Sequence, residues 1–297
     1  MVNMQLHFFQ WWSHNAMSKN QSERTLLLFL HGMGGTGQIW RPIAAHLEDE
    51  FLCIAPDQRG HGQSRPLPAS ENFEFHASDY ARDLMALLEK AILDHHPQRL
   101  IIIGHSMGVR SGLATAHAIL NGGSTELRSI FQGFISVDIG LQGKWGGGIG
   151  MPLADFIEKL PETFPDRHSM RDHLFQHCPD PAIAQYLSAV SKKTSDSPEA
   201  WSFPFDHQAL IRTIHQADDA PIEKWIMEIC HAGIPVLALR GMNSKVWLKA
   251  DYEKAKTQLD HPNLQFEEWE NCGHGLPFEQ RQRFLNRVRE FATRSEP

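Results

Sequence analysis

The chain alternates between short unbroken apolar runs and longer stretches in which apolar residues recur every three or four positions. Runs at 25–30, 51–55, 100–103, 134–137 and 234–239 are rich in Leu, Ile, Val and Phe, which is the pattern of strands buried on both faces of a parallel sheet. Between them, Tyr80, Leu84, Leu87 and Leu88 mark one face of a helix over about 77–93, and Val109, Leu113, Ala116 and Leu120 mark one face of a second. A helix near 249–259, a strand at 263–269 and a closing helix carrying Phe278, Phe284, Leu285 and Val288 complete the series. Strands alternating with helices imply right-handed crossovers, so the pattern predicts an α/β fold with a mostly parallel central sheet and helices on both faces.

The alternation breaks once. After the strand ending at Val137, no run of comparable quality appears until Ile234, a gap of about a hundred residues, too long for a loop. It opens with Gly143, Gly146, Gly147, Gly148 and Gly150, which suggests a hinge, and continues as amphipathic stretches around 152–160, 167–177, 180–192, 207–217 and 220–231. The expected organisation is therefore a core domain of residues 1–140 and 233–297 with a helical cap subdomain, 141–232, over the active end of the sheet.

Composition narrows the partners. In 297 residues, 41% are hydrophobic and 21% charged, as in globular proteins, and a formal net charge of -7 disfavours nucleic acid or an anionic membrane as a partner. No apolar run approaches the ~20 residues of a membrane span, and the start of the chain lacks a basic segment followed by a long apolar one, so a cytoplasmic location without an anchor is expected. Cys53, Cys178, Cys230 and Cys272 are widely spaced, which points to reduced, mostly buried thiols. His173 and His177 stand four apart, but without H-E-x-x-H or a carboxylate pattern no metal site is predicted.

Candidate chemistry lies at the carboxyl ends of the strands, where open parallel sheets bind ligands. The run 100–103 leads into Gly104-His105-Ser106-Met107-Gly108 and then a helix. This is a nucleophile elbow: a strained turn that lifts a serine hydroxyl clear of the sheet, flanked by glycines because side chains there would strike the neighbouring strand or helix. Serine needs a base, and His274, between Gly273 and Gly275 after the last strand, is the candidate. A carboxylate must orient the imidazole. The strand ending at Leu239-Arg240 is followed by Gly241-Met242-Asn243-Ser244, where Ser244 cannot carry the charge, so Asp138 at the end of the 134–137 strand is the candidate acid and Asp251 a distant second. Backbone N–H groups of Met107, at the start of the elbow helix, and Met33, in the turn His31-Gly32-Met33-Gly34-Gly35, would stabilise an oxyanion. His31, Gly32 and His105 are expected to shape the substrate site. Trp201 and Phe205, with Phe203 and Pro204, would either line an apolar acyl pocket or pack the cap onto the core. The glycine-rich turn lacks the Lys-Ser/Thr ending of a phosphate loop, so no nucleotide site is expected.

Taken together, His31-Gly32-Met33-Gly34, Asp57-Gln58-Arg59-Gly60-His61-Gly62-Gln63-Ser64, the elbow and Gly273-His274 resemble the α/β-hydrolase superfamily over roughly residues 24–140 and 233–291. The strand before Asp138-Ile139-Gly140, paired with Arg240-Gly241 and Ser244, is similar to a carboxylesterase-like branch whose acid, and hence cap insertion, follows the sixth strand. The resemblance implies that Asp57 and Arg59 are structural braces. It also implies a serine esterase acting on small, fairly apolar carboxylic esters through an acyl-enzyme, with no cofactor and a small-molecule ester as its partner. Lactone, thioester and carbon–carbon bond hydrolysis, and cofactor-free perhydrolysis, use the same groups. A non-catalytic ligand-binding protein on the same fold is the alternative of a different class.

Overall fold

A computed structural model describes residues 4–18, 24–65, 73–141, 150–194, 199–216 and 220–293. Strand β1 (Phe8–Trp11) starts the main sheet, followed by β2 (Thr25–Leu30), β3 (Leu52–Pro56), β4 (Arg99–His105) and β5 (Phe131–Val137). Three two-residue strands come next, β6 (Thr163–Phe164), β7 (Lys192–Lys193) and β8 (Trp201–Ser202), before β9 (Val236–Gly241) and β10 (Leu264–Trp269) return to the main sheet. Its order is β1-β3-β2-β4-β5-β9-β10, antiparallel only between β1 and β3. The strand that the resemblance counts as sixth is thus the fifth of this sheet in chain order.

Each apolar run became a strand because both its faces meet helices. Leu26, Leu28, Leu30, Leu100, Ile102 and Phe134 face one apolar layer, and Leu27, Phe29, Ile101, Ile103 and Ile135 the other. Burying one such side chain contributes roughly 1.5–3 kcal/mol. The elbow helix Met107–Gly122 turns Val109, Leu113, Ala116 and Ile119 into the first layer, packed beside the helix Ala77–His95. Trp40, Trp269, Phe284 and Leu285 fill the second, and the closing helix Arg281–Thr293 covers it.

Between β5 and β9 the chain forms the helices Gly150–Lys159, Arg167–His177, Pro181–Val190, His207–His215 and Ile222–His231. The first four surround their own apolar cluster, which includes Ile157, Met170, Leu174, Leu187 and Phe203. The fifth behaves differently. Trp225, Ile226 and Ile229 join the main core, and the helix packs on Met107–Gly122, so by packing it belongs to the sheet's own helical layer. The glycines expected to act as a hinge, Gly143 to Gly148, lie outside the described residues. Gly150 opens the helix Gly150–Lys159.

Strand β1 and the small sheet β6-β8-β7 were not predicted. Strand β1 is a partly exposed edge strand whose aromatic residues show no clean alternation, and two-residue strands are too short to have a period.

Candidate active site

Strand register sets the site. Gly104 lies beside Leu30 on one flank and Ser136 on the other, and His105 lies beside Val137. The chain then leaves the sheet at neighbouring points: the Ser106 amide donates to the Val137 carbonyl at 3.0 Å, and the Asp138 amide to the Leu239 carbonyl at 2.8 Å. Residues that are distant in sequence therefore emerge side by side at the sheet's carboxyl edge.

Ser106 has φ 54° and ψ -121°, a conformation that costs a non-glycine residue about 1–3 kcal/mol. The surrounding packing enforces it. A Cβ at Gly104 would lie 2.4 Å from the Gly108 carbonyl oxygen, and one at Gly108 would lie 2.3 Å from the Leu30 carbonyl oxygen. The flanking glycines are thus required by one helix and one strand. Ser106 is 8% exposed and opens on a cavity of about 450 Å³ that it shares with His274, His105, Gly32 and Met33.

His274 Nδ1–H donates to Asp138 Oδ2 at 2.7 Å. A carboxylate partner requires the proton on Nδ1, which leaves Nε2 as the free acceptor of a neutral ring. Asp138 is fully buried, at φ 53°, and its carboxylate takes two more hydrogen bonds: from the Gly241 amide to Oδ1 at 3.0 Å and from Ser244 Oγ to Oδ2 at 2.5 Å. Ser244, which the sequence excluded as an acid, is instead a donor to the acid, and its oxygen accepts in turn from the Val246 and Trp247 amides. Its position at the end of β9, beside Asp138, was the signal available for that role. Asp251 stands in the first turn of the helix Lys249–Gln258, while His274 takes its carboxylate from Asp138. Among the described residues no hydrogen bond joins the Ser106 hydroxyl to His274, a pairing that in unliganded sites often tightens only when substrate binds.

The glycine-rich turn after β2 is braced from behind by two buried imidazoles. His61 Nε2 accepts from the Gly34 amide at 3.1 Å while its Nδ1–H donates to the Arg59 carbonyl at 2.9 Å. His31 Nε2 accepts from the Gln58 amide at 3.0 Å and its Nδ1–H donates to the Gly32 carbonyl at 2.8 Å. Burial pushes His31 down to about 4 and His61 down to about 3, so both rings are neutral as these bonds require. The Gly34 and Gly35 amides are thereby engaged, the latter to the Gly32 carbonyl, whereas those of Met33 and Met107 have no acceptor among the described residues. Gln58 extends the brace, donating to the His31 carbonyl at 2.8 Å and accepting from Ser111 of the elbow helix at 2.5 Å.

Asp57 and Arg59 lie behind the site. Asp57 accepts from the Gly37 and Gln63 amides, both at 2.8 Å, and Arg59 Nε donates to Asp83 at 2.7 Å within the interior. His31, Trp201 and Phe205, expected at the substrate, are not among the described side chains lining the cavity. His31 is used up by its bracing bonds. Trp201 lies on β8 under the Arg167 guanidinium, 5.3 Å from its ring, and Phe205 stacks on Phe203 at 5.3 Å while pairing its backbone with His61. Trp201 thus holds the inserted segment together, and Phe205 also ties it to the core. Lining falls instead to Leu153, Ile157, Ile183, Leu187 and Leu210 from that segment, with Ile39, Val246 and Phe278 below. Sequence reasoning passed over these aliphatic residues because their spacing is that of any packed helix. No lysine or arginine lines the cavity among the described residues.

His173 and His177 face each other at 4.6 Å, and among the described residues no third side chain completes a metal set. All four cysteines are free. Among the described residues no helix is long and apolar enough to cross a membrane.

The chain is similar to known proteins in sequence and in shape. Over 91 residues the chain is 35% identical to 2-(acetamidomethylene)succinate hydrolase of Mesorhizobium japonicum, covering 31% of this chain and 30% of that protein. Over 146 residues it is 26% identical to the pimeloyl-[acyl-carrier protein] methyl ester esterase of Vibrio vulnificus, covering 49% of this chain and 51% of that one. The chain thus matches about half or less of either relative's length. The crystal structure of E-2-(acetamidomethylene)succinate hydrolase superposes with a TM-score of 0.72 at 21% identity, over 96% of this chain and 94% of the other, which is a likeness of fold. The family profile described as alpha/beta hydrolase matches residues 27–287, from β2 into the closing helix. That match spans Ser106, Asp138 and His274, and this chain belongs to the alpha/beta hydrolase family.

Proposed function

We propose that the protein is a carboxylesterase-type serine hydrolase that cleaves small, fairly apolar carboxylic esters through an acyl-enzyme. The observation that carries this reading is the hydrogen bond from His274 Nδ1 to the buried Asp138 carboxylate, at 2.7 Å, in a loop that shares one cavity with the strained Ser106. In the proposed reaction Ser106 Oγ attacks the ester carbonyl while His274 Nε2 takes its proton. The Met33 and Met107 amides, which have no acceptor among the described residues, hold the tetrahedral oxyanion, and a single such donor is worth about 2.7–4 kcal/mol in a comparable site. His274 then returns the proton to the leaving alcohol, and water, activated by the same imidazole, releases the acid. No cofactor enters the cycle.

The lining of the cavity supports an uncharged acyl group. The hydrolase from Mesorhizobium japonicum takes its name from a succinate, and two carboxylates call for cations, of which none lines this cavity among the described residues. The Vibrio vulnificus relative is named for a methyl ester, in keeping with ester cleavage here. We place the protein in the cytoplasm and divide it into a core of residues 1–140 and 233–297 with an inserted segment of 141–232 that forms a cap, apart from its last helix, Ile222–His231, which packs on the core. Lactone, thioester and carbon–carbon bond substrates, and perhydrolysis, remain within the reach of the same groups and are separated by a substrate panel.

The test is Ser106→Ala against p-nitrophenyl butyrate, with fluorophosphonate labelling of the native chain. Turnover should fall by about 10⁴-fold or more, and the label should sit on Ser106. Full turnover in the variant would refute the mechanism. A labelled Ser106 without hydrolysis of any ester, lactone or thioester would favour the non-catalytic ligand-binding protein.

A further inference from the structure

The loop that carries His274 is held by two side chains, neither of which takes part in the proton transfers described above. The Gly273 N–H donates to Glu279 Oε2 at 2.9 Å, and the Gly275 N–H donates to Glu279 Oε1 at 3.0 Å. Between them the His274 carbonyl accepts from His105 Nε2–H at 2.8 Å. One carboxylate therefore bridges the amides on either side of His274, while the nucleophile elbow holds the carbonyl in the middle.

Before Gly273 the loop is also held by its backbone, the Asn243 N–H donating to the Cys272 carbonyl at 2.9 Å. Glycines flank His274 and pack no side chain, and a Cβ at Gly273 would meet nothing closer than 3.7 Å. The direction of the His274 Cα–Cβ bond, and with it the approach of the ring to Asp138 and Ser106, is thus set largely by hydrogen bonds, with the ring resting on that of His105 at 4.7 Å.

From this geometry we infer that Glu279, which also borders the cavity, is a positioning residue for His274, acting through the two flanking amides and not on the imidazole directly. The inference rests on the serine hydrolase reading for its kinetic consequence. A purely local explanation covers only half of the contacts. Glu279 ends the short helix Leu276–Glu279, and by reaching back to Gly275, the N-cap residue, it helps to close that helix's first turn. Gly273 lies outside the helix, so the bond to its amide serves no cap. Glu279 is also exposed, which means its charge meets no burial penalty that would have to be offset by the helix. What the second bond does is hold the loop on the far side of His274.

The experiment uses the full chain with Glu279→Ala and Glu279→Gln, following kcat and KM for p-nitrophenyl butyrate, thermal unfolding, and the low-field proton resonance of His274 Nδ1–H. That resonance is identified by its absence in His274→Ala. A small misplacement of a catalytic group can cost on the order of 10²-fold, so Glu279→Ala should lower kcat by about 10- to 100-fold. Its KM should stay within about twofold; a rise in KM with kcat unchanged would mean that Glu279, which borders the cavity, contacts the substrate instead, and would overturn the inference. The low-field signal should broaden or vanish as the ring loses its fixed approach to Asp138. Glu279→Gln, whose single oxygen still accepts from one amide while its NH₂ group faces the other, should fall between Ala and wild type. A capping role alone would lower the unfolding temperature and leave both kcat and the resonance as they are, and that result overturns the inference. Since the resonance needs no turnover, it also decides the matter if the native chain hydrolyses no ester. Loss of the signal in Glu279→Ala then supports the brace, and its persistence removes it.

Discussion

At the floor of the cavity, Asp138 takes hydrogen bonds from His274, Gly241 and Ser244, and the rings of His31 and His61 have both nitrogens engaged. At the roof, Leu153, Ile157, Leu187 and Leu210 meet the same cavity with apolar surface alone. The floor is a network of directional bonds in a buried setting, where each partner is fixed by the next and an unpaired member is expensive. The side chains that the roof turns to the cavity are held by close packing, which accepts others of similar volume at modest loss, although the segment's backbone is tied to the floor at Gly60 and Gly62. Chemistry that demands fixed angles therefore sits on strand ends, and the choice of substrate is left to surfaces that can change without disturbing it.

The sharpest way to break this division is to remove the floor's central acceptor. Asp138→Ala should lower kcat by about 10⁴-fold, as loss of the orienting carboxylate does in related chemistry. It should also destabilise the fold, because the Ser244 hydroxyl and the Gly241 amide lose their acceptor in the interior, at about 1–3 kcal/mol for each. Denaturant unfolding alongside kcat would check both. Activity lost without stability would mean that the network aligns His274 but does not rigidify the floor.

Acid should separate the two regions next. Burial holds His31 at about 4, His61 at about 3 and His105 at about 3, against about 6.5 for an unfolded imidazole. Between about 6.5 and about 3 the unfolded chain binds more protons than the native one, so this part of the stability rises with pH. It is complete above pH ~6.5 and is lost as the pH falls toward the folded values. Protonation of His61 would set a ring N–H against the Gly34 N–H, and protonation of His31 would do the same at Gln58. Hydrogen exchange between pH 7 and pH 4.5 should show the Gly34 and Gln58 amides losing protection before those of the helix Pro181–Val190. Uniform loss across both regions would show that the floor does not respond separately.

The same contrast explains what could be read from the chain. Ser106 and Asp138 were legible because each sits at the end of an unambiguous apolar run, His274 because it stands between glycines after the last strand, and the elbow because Gly104 and Gly108 announce a close approach that no side chain would tolerate. Helix positions in the inserted segment were legible too, since amphipathic periodicity survives wherever one face is buried. What those helices present to the cavity was not. Leu153 or Leu187 lines a binding site or fills a core with the same spacing, and only the placement of the whole segment distinguishes the two. Trp201 and Phe205 drew attention as aromatic residues, yet their rings are occupied by Arg167 and Phe203. Contacts made through backbone atoms were equally hidden. Nothing in the residue types around 273–279 says that a glutamate five positions on will accept from both amides beside His274.

The smallest expected effect comes from a polar side chain that the roof presses against the floor. Tyr186, on the helix Pro181–Val190, lines the cavity with part of its ring, while its hydroxyl is buried without a hydrogen-bond partner among the described residues. That hydroxyl lies against the glycine-rich turn, where a Cβ added at Gly35 would come within 2.0 Å of it. Burial pushes the phenol far above its usual range, so it stays a neutral, unpaired donor. Tyr186→Phe keeps the ring and removes an unmatched polar atom, which should leave stability unchanged or raise it by up to about 1 kcal/mol, with kcat within about twofold of wild type. Thermal unfolding and ester turnover measure both. A tenfold fall in kcat would mean that the roof contributes a directional contact to the reaction, and the separation of a bonded floor from a merely packed roof would then have to be given up.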